Sequence, residues 1–139
     1  MKKPTIADYP LAETQGDRIR GRRGIAPDEI TLDAVLSGRV EMEDLRITQD
    51  ALRAQAAIAD AAGRHTLARN FERGAELVDV PQDVIMDTYE MLRPGRVRSK
   101  SILTDRAEEF RSRYGAPLMA DFIDRAAEIY LRRGLLKEE

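Results

Sequence analysis

Residues 100–134, KSILTDRAEEFRSRYGAPLMADFIDRAAEIYLRRG, decide the fold class. Leu103, Ala107, Phe110 and Tyr114 recur at i, i+4, i+7 and i+11, the spacing of one helix face, and Gly115 supplies a stop. Pro117 then stands in the position a helix's first turn tolerates. Behind it, Met119, Phe122 or Ile123, Ala126, and Ile129 or Tyr130 align on a second face before Gly134. Nothing in the stretch alternates with the period of a strand.

Moving toward the N-terminus, the same period recurs. Pro81 opens a helix whose stripe is Ile85, Tyr89 and Leu92, and Pro94 ends it. A run after Gly63 places Leu67, Phe71, Gly74 or Ala75, and Val78 on one side, with Arg69, Glu72, Arg73 and Glu76 opposite. Before it, Thr48 is placed to cap a longer helix, with Asp50 against its positive end. Leu52, Ala56 and Ala59 form a narrow, Ala-rich face there, suited to close helix–helix approach. A short element at Glu41–Leu45 precedes this helix. Thr31 caps another through Leu32, Val35 and Leu36, stopped by Gly38 in a left-handed turn. Residues 1–30 hold Pro4, Pro10, Pro27, Gly16, Gly21 and Gly24 and show no sustained period. Their apolar residues Tyr9, Leu11, Ile19 and Ile25 are too few to fold alone, so order in this arm requires docking on the rest of the chain or on a partner. The expectation is an all-α protein: five or six short-to-medium packed helices in one domain over 31–139, preceded by an extended N-terminal arm over 1–30.

Composition agrees. A chain of 139 residues favours one domain, and the 37 Leu, Ile, Val, Phe and Met residues exceed what a disordered chain carries. With seven aromatic residues and no Trp, packed helices suit the core better than a β-sandwich. The absence of Cys rules out disulfides, thiolate catalysis and Cys-ligated metals, and fits a reducing cytoplasm. The start carries Lys2 and Lys3 but then Pro4, Asp8 and Pro10 where a leader would be apolar, and no apolar run reaches 18 residues. A cytoplasmic protein with no membrane association is expected.

Net charge is −2, yet 19 of the 23 cations are Arg and they cluster. Arg18, Arg20, Arg22 and Arg23 form one group, and Arg93, Arg96, Arg98 and Lys100 another without an intervening acid. Arginine's planar fork suits pairing with carboxylates or phosphates, although a solvated charged loop explains either cluster equally well. Catalytic groups are scarce. His65 is the single histidine and falls at the exposed start of a helix, so no two-His metal motif exists and a triad could be built only around that imidazole. Gly21-Arg22-Arg23-Gly24 lacks the Lys-Ser/Thr ending of a phosphate loop. The carboxylates Glu41, Glu43 and Asp44, and the pair Glu108 and Glu109, read as solvated outer faces. What remains is Arg beside aromatics: Arg69 and Arg73 around Phe71, Tyr89 near Arg93, and Arg113 before Tyr114. That combination marks the energetic centres of protein interfaces, or else aromatics that fill the core under an arginine rim. The residues thus describe a helical module built for a protein partner. The alternative is a small nucleic-acid-binding regulator that lays its Arg clusters on phosphates, against which the net acidity counts.

A family resemblance sharpens this. Asp8-Tyr9-Pro10-Leu11-Ala12, Thr31-Leu32 with Val35-Leu36-Ser37, and Leu45-Arg46-Ile47-Thr48 recur in order with Leu52, Gln55-Ala56 and Ile58-Ala59. They are followed by Ala68-Arg69-Asn70-Phe71-Glu72-Arg73, Ala75-Glu76-Leu77, and Val80-Pro81 through Tyr89, Leu92, Arg93 and Pro94. From about residue 8 to 133 the chain resembles the small subunit of adenosylcobalamin-dependent diol and glycerol dehydratases. The resemblance implies a helical subunit in a heterohexamer with two copies each of a large, a medium and a small chain. It implies a barrel-shaped large subunit holding substrate and a potassium or calcium ion, with cobalamin between it and the medium subunit. A radical mechanism there converts propane-1,2-diol or glycerol to the aldehyde, and no cofactor, metal or catalytic step falls to the small subunit, which packs on the large one. For such docking the expected contacts are Tyr9, Pro10 and Leu11 from the arm, and Arg69, Asn70, Arg73, Arg93 and Pro94 from the body. Only seven residues precede Asp8, whereas relatives that enter bacterial microcompartments tend to carry a longer start; the expectation is therefore the soluble glycerol-dehydratase type, with encapsulation possible through another subunit. Gly95 stands where the family commonly has an aromatic, and Arg18–Arg23 match nothing in the family pattern.

Overall fold

A computed structural model describes residues 3–136, so Lys2 and the extreme ends of the arm and helical region lie outside the described residues. The fold is all-α, with no strand among the described residues. Five helices of 11 to 16 residues carry it, joined by shorter pieces. The chain forms two compact units, one ending at Val78 and one beginning at Asp79.

In the first unit the N-terminal segment is a succession of single turns. A 3-10 turn over Ile6–Asp8 leads into helix α1 (Leu11–Thr14), followed by 3-10 turns at Gly16–Arg18 and Pro27–Glu29. The Asp8 carboxylate organises the start: it accepts hydrogen bonds from the Thr5 amide (2.7 Å), the Thr5 hydroxyl (3.0 Å) and the Gln15 amide group (2.5 Å). Helices α2 (Leu32–Leu36) and α3 (Met42–Leu45) follow, then α4 (Gln49–Ala61) and α5 (His65–Leu77). Thr31 and Thr48 cap α2 and α4 as read, their hydroxyls accepting the Ala34 and Ala51 amides at 3.2 Å. Gly38 takes the left-handed conformation, φ 76°, that ends α2.

Helices α4 and α5 pack along their lengths, and the turn at Ile6–Asp8 rests on α4. Apart from Ile58, the residues these helices bury are alanines: Ala56 and Ala59 on α4, Ala68 and Ala75 on α5. Leu52 of α4 reaches to 3.8 Å of where a side chain on Gly74 would begin. The α5 stripe expected through Leu67 therefore runs one residue further on, through Ala68, and Leu67 is left exposed. The reason is geometric, since alanines permit a closer backbone approach than the larger side chains chosen by hydrophobicity.

The first arginine cluster fastens the N-terminal segment. Arg22 pairs with Glu43 (3.1 Å) and donates to the Val78 carbonyl (3.3 Å), while Arg23 pairs with Glu41 and Asp44 (3.1 Å each). Asp44 is buried, and its Oδ2 also accepts the Glu41 amide at 2.8 Å. A Cβ on Gly21 would lie 3.1 Å from the Asp44 carbonyl oxygen, so the loop passes α3 at a distance only glycine allows comfortably.

The second unit holds α6 (Gln82–Leu92), α7 (Lys100–Ser112) and α8 (Pro117–Arg132). Helices α7 and α8 form a hairpin around the Gly115 turn, with Leu103, Ala107, Phe110, Ala120, Ile123 and Ala127 fully buried. Phe110 meets Tyr114 edge-on at 5.8 Å, and Arg113 lies 5.4 Å over the Tyr114 ring. Arg111 joins the two helices by bonding Glu108, Asp121 and Asp124, and those three carboxylates hold its guanidinium above its already high ordinary pKa. Lys100 bonds Glu128 across the hairpin, and the Tyr130 hydroxyl donates to the Leu92 carbonyl at 2.5 Å.

Two faces differ from the expected ones. On α6 Tyr89 points outward, 60% exposed, and Thr88 is buried in its place with its hydroxyl satisfied by the Val84 carbonyl at 2.7 Å. On α8 the buried stripe is Ala120, Ile123 and Ala127: Ala120 and Ala127 replace Met119 and Ala126, while of the alternatives Phe122 and Ile123 it is Ile123 that is buried. Pro81 precedes α6 as its cap residue instead of lying inside the first turn.

Candidate subunit interface

The arm residues singled out from the sequence divide by direction. Tyr9 is 63% exposed and Pro10 is exposed, whereas Leu11 is 8% exposed and anchors the segment from beneath. Their arrangement is fixed by Thr14, whose hydroxyl donates to the carbonyls of Asp8 (2.6 Å) and Pro10 (3.2 Å). The chain thereby presents an aromatic ring and a proline on a turn that its own hydrogen bonds define.

On α5, Arg69 and Asn70 are exposed and Arg73 is half-buried, its guanidinium bonded to the Asn70 side-chain oxygen. Both this helix and the arm's first turn lie against α4, so these two candidate groups belong to one unit. Arg93 and Pro94 are exposed in the other unit, where Arg93 pairs with Glu90 (3.1 Å) beside Arg96 (3.7 Å).

His65 begins α5 with an exposed side chain, and its Nδ1 lies 2.7 Å from Asp60 Oδ1. The hydrogen bond to His65 holds the Asp60 carboxyl below its ordinary value. Among the described residues, no group of three or more His, Asp or Glu side chains is disposed to hold a metal ion. No helix among them is long and apolar enough to cross a membrane.

One surface feature went unmarked in the sequence. Leu32, Leu36 and Met42 are each more than 70% exposed, and Val35, Leu45 and Ile47 about half exposed. The signal that could have found it is brevity: helices of five and four residues have too few positions to bury one face, yet α2 spends Leu32, Val35 and Leu36 and α3 spends Met42 and Leu45 on large apolar side chains.

Residues 4–137 match the protein family described as the dehydratase small subunit. The chain belongs to that family. It is 42% identical over 132 residues to the propanediol dehydratase small subunit of Salmonella typhimurium, covering 95% of this chain and 76% of that one. It is 43% identical over the same length, with the same coverage, to the propanediol dehydratase small subunit of Citrobacter freundii. The resemblance carried by Asp8–Ala12, Ala68–Arg73 and Val80–Pro94 therefore reflects kinship. A dehydratase small subunit is one component of a hydro-lyase and has partner subunits. The exposed tyrosine, arginines and leucines of this family member are surfaces to be read with that in mind.

Proposed function

We propose that this chain is the noncatalytic subunit that docks on and stabilises the large subunit of an adenosylcobalamin-dependent diol dehydratase. The assembly acts on propane-1,2-diol or glycerol, removing water to give the aldehyde. The carrying observation is the near-complete match to two propanediol dehydratase small subunits. Cobalamin and the potassium or calcium ion belong to the large and medium subunits in this reading, and the assembly holds two copies of each chain in the cytoplasm. Tyr9, Pro10, Arg69, Asn70, Arg73, Arg93 and Pro94 are contact residues, with Leu11 holding the arm in place.

The nucleic-acid reading loses its motive. Arg22 and Arg23 are engaged by Glu43, Glu41 and Asp44, and Arg93 and Arg96 by Glu90, so these cations are already matched by the chain's own carboxylates.

The test is reconstitution by omission. Large and medium subunits from the same source, supplied with adenosylcobalamin and propane-1,2-diol, should lose activity or stability when this chain is left out and regain it when it is added. Turnover by this chain alone would refute the reading.

A further inference from the structure

Asp44 is the one buried charged side chain among the described residues, and the chain satisfies only half of it. Its Oδ2 accepts from the Arg23 guanidinium (3.1 Å) and the Glu41 amide (2.8 Å), while Oδ1 is enclosed and the chain offers it no donor. A carboxylate held this way stays buried only while its cation is in place, because an enclosed charge without its partner is far costlier than one in water.

The cation comes from a loop that side chains alone fasten to α3. Gly21 and Gly24 close the loop on itself: the Gly21 amide bonds the Ile25 carbonyl (2.8 Å) and the Gly24 amide the Gly21 carbonyl (2.9 Å), with Gly24 at φ 87°. Among the described residues, no backbone hydrogen bond joins this loop to α3. Charge joins them instead, Arg22 to Glu43 and Arg23 to Glu41 and Asp44, beside the bond from Arg22 to the Val78 carbonyl. Both arginines and Glu41 are exposed, so dissolved ions reach most of this attachment. Tight packing begins only at Ala26, which is buried.

We propose that residues 21–25 are a releasable strap that fastens the N-terminal arm to α3. With Arg22 and Arg23 seated on the α3 carboxylates the strap is closed. When those pairs weaken the loop lifts as a unit, Asp44 meets water, and Oδ1 gains the hydrogen bonds that the closed chain does not give it. That gain offsets part of the lost pairing, so opening is local and leaves the long helices folded. The arm thus has a fastened and a free state, and ionic conditions choose between them. The inference concerns the full chain on its own and goes beyond the docking reading.

The experiment measures amide hydrogen exchange of the full chain at about 0.01 M and about 1 M salt, between which the Debye length falls from about 30 Å to about 3 Å. The Gly21 and Gly24 amides should exchange at least about fivefold faster at high salt, while the Leu103 and Ala107 amides of α7 change less than about twofold. Arg23→Ala should give the fast exchange already at low salt and lose most of the salt response. Arg23→Lys should recover part of the low-salt protection, and Glu41→Gln, which touches an exposed partner, should give a smaller acceleration than Arg23→Ala. The helical circular-dichroism signal should match wild type in all three variants.

Exchange at Gly21 and Gly24 that ignores salt would overturn the proposal, since the loop would then be held by packing. Wild-type protection in Arg23→Ala would overturn it as well. So would loss of the helical signal in both Arg23→Ala and Glu41→Gln, which would make the pairing part of the global fold and not a local fastening.

Discussion

The α7–α8 hairpin and the α2–α3 segment use the same kinds of residue to opposite ends. In the hairpin, two helices of 13 and 16 residues are long enough to pair, and Leu103, Phe110 and Ile123 vanish completely between them. In the segment, helices of five and four residues bury only Ala34 and Asp44, with Val40 between them, and turn their leucines to solvent. The hairpin's apolar side chains stabilise this chain. Those of the segment are left about half or more in solvent and contribute correspondingly less.

That contrast can be broken most forcefully in the hairpin. Phe110→Ala should destabilise by about 3–5 kcal/mol, because a fully buried ring leaves a cavity its neighbours cannot fill, whereas Leu36→Ser should change stability by less than about 0.5 kcal/mol. Urea unfolding of the two variants checks both, and equal losses would erase the distinction.

Next in size are the surfaces proposed for partners. Tyr9→Ala and Arg73→Ala should each weaken association with the large subunit by about 2 kcal/mol while leaving the helical spectrum of the free chain intact. Co-purification at the wild-type ratio for both would remove the arm and α5 from the interface.

Smaller still is the cap on α4. Thr48→Ala should cost about 1 kcal/mol, since the Ala51 amide loses its acceptor, and Thr48→Ser should restore most of it.

The smallest effect concerns acid. The bond from Lys100 holds the Glu128 carboxyl below its ordinary value of 4.5. Because the folded value is depressed, this contribution is fully present above pH 4.5 and is lost as pH falls through the lowered value. Glu128→Gln should therefore lower the melting temperature near neutrality and flatten its decline in acid; an unchanged decline would show that the pair carries none of the acid response.

These regions also differ in how far they could be read in advance. Caps and stops are local, so Thr31, Gly38, Thr48 and Gly115 were legible from a few neighbours each. Faces were legible to about one residue. Ala68 displaced Leu67, Thr88 displaced Tyr89, and Ala120 displaced Met119, because periodicity favours the largest apolar side chain and close packing favours the smallest.

Arg22 and Arg23 could not be placed from the sequence, because their partners Glu43 and Asp44 lie 21 residues away and only the fold brings them together. The candidate contacts were legible through kinship more than through pattern. The stripe Leu32, Val35 and Leu36 was legible to both, but its exposure was not, since a spacing that marks one side of a helix does not say whether that side is covered by the chain's own core.

The central claim is that this polypeptide works by adhering to a larger catalytic chain. The most direct measurement is the native mass of the assembly formed when all three subunits are co-expressed. The account predicts a single species with one copy of this chain for every large subunit. A fully active species of large and medium subunits alone, with this chain running separately, would contradict it.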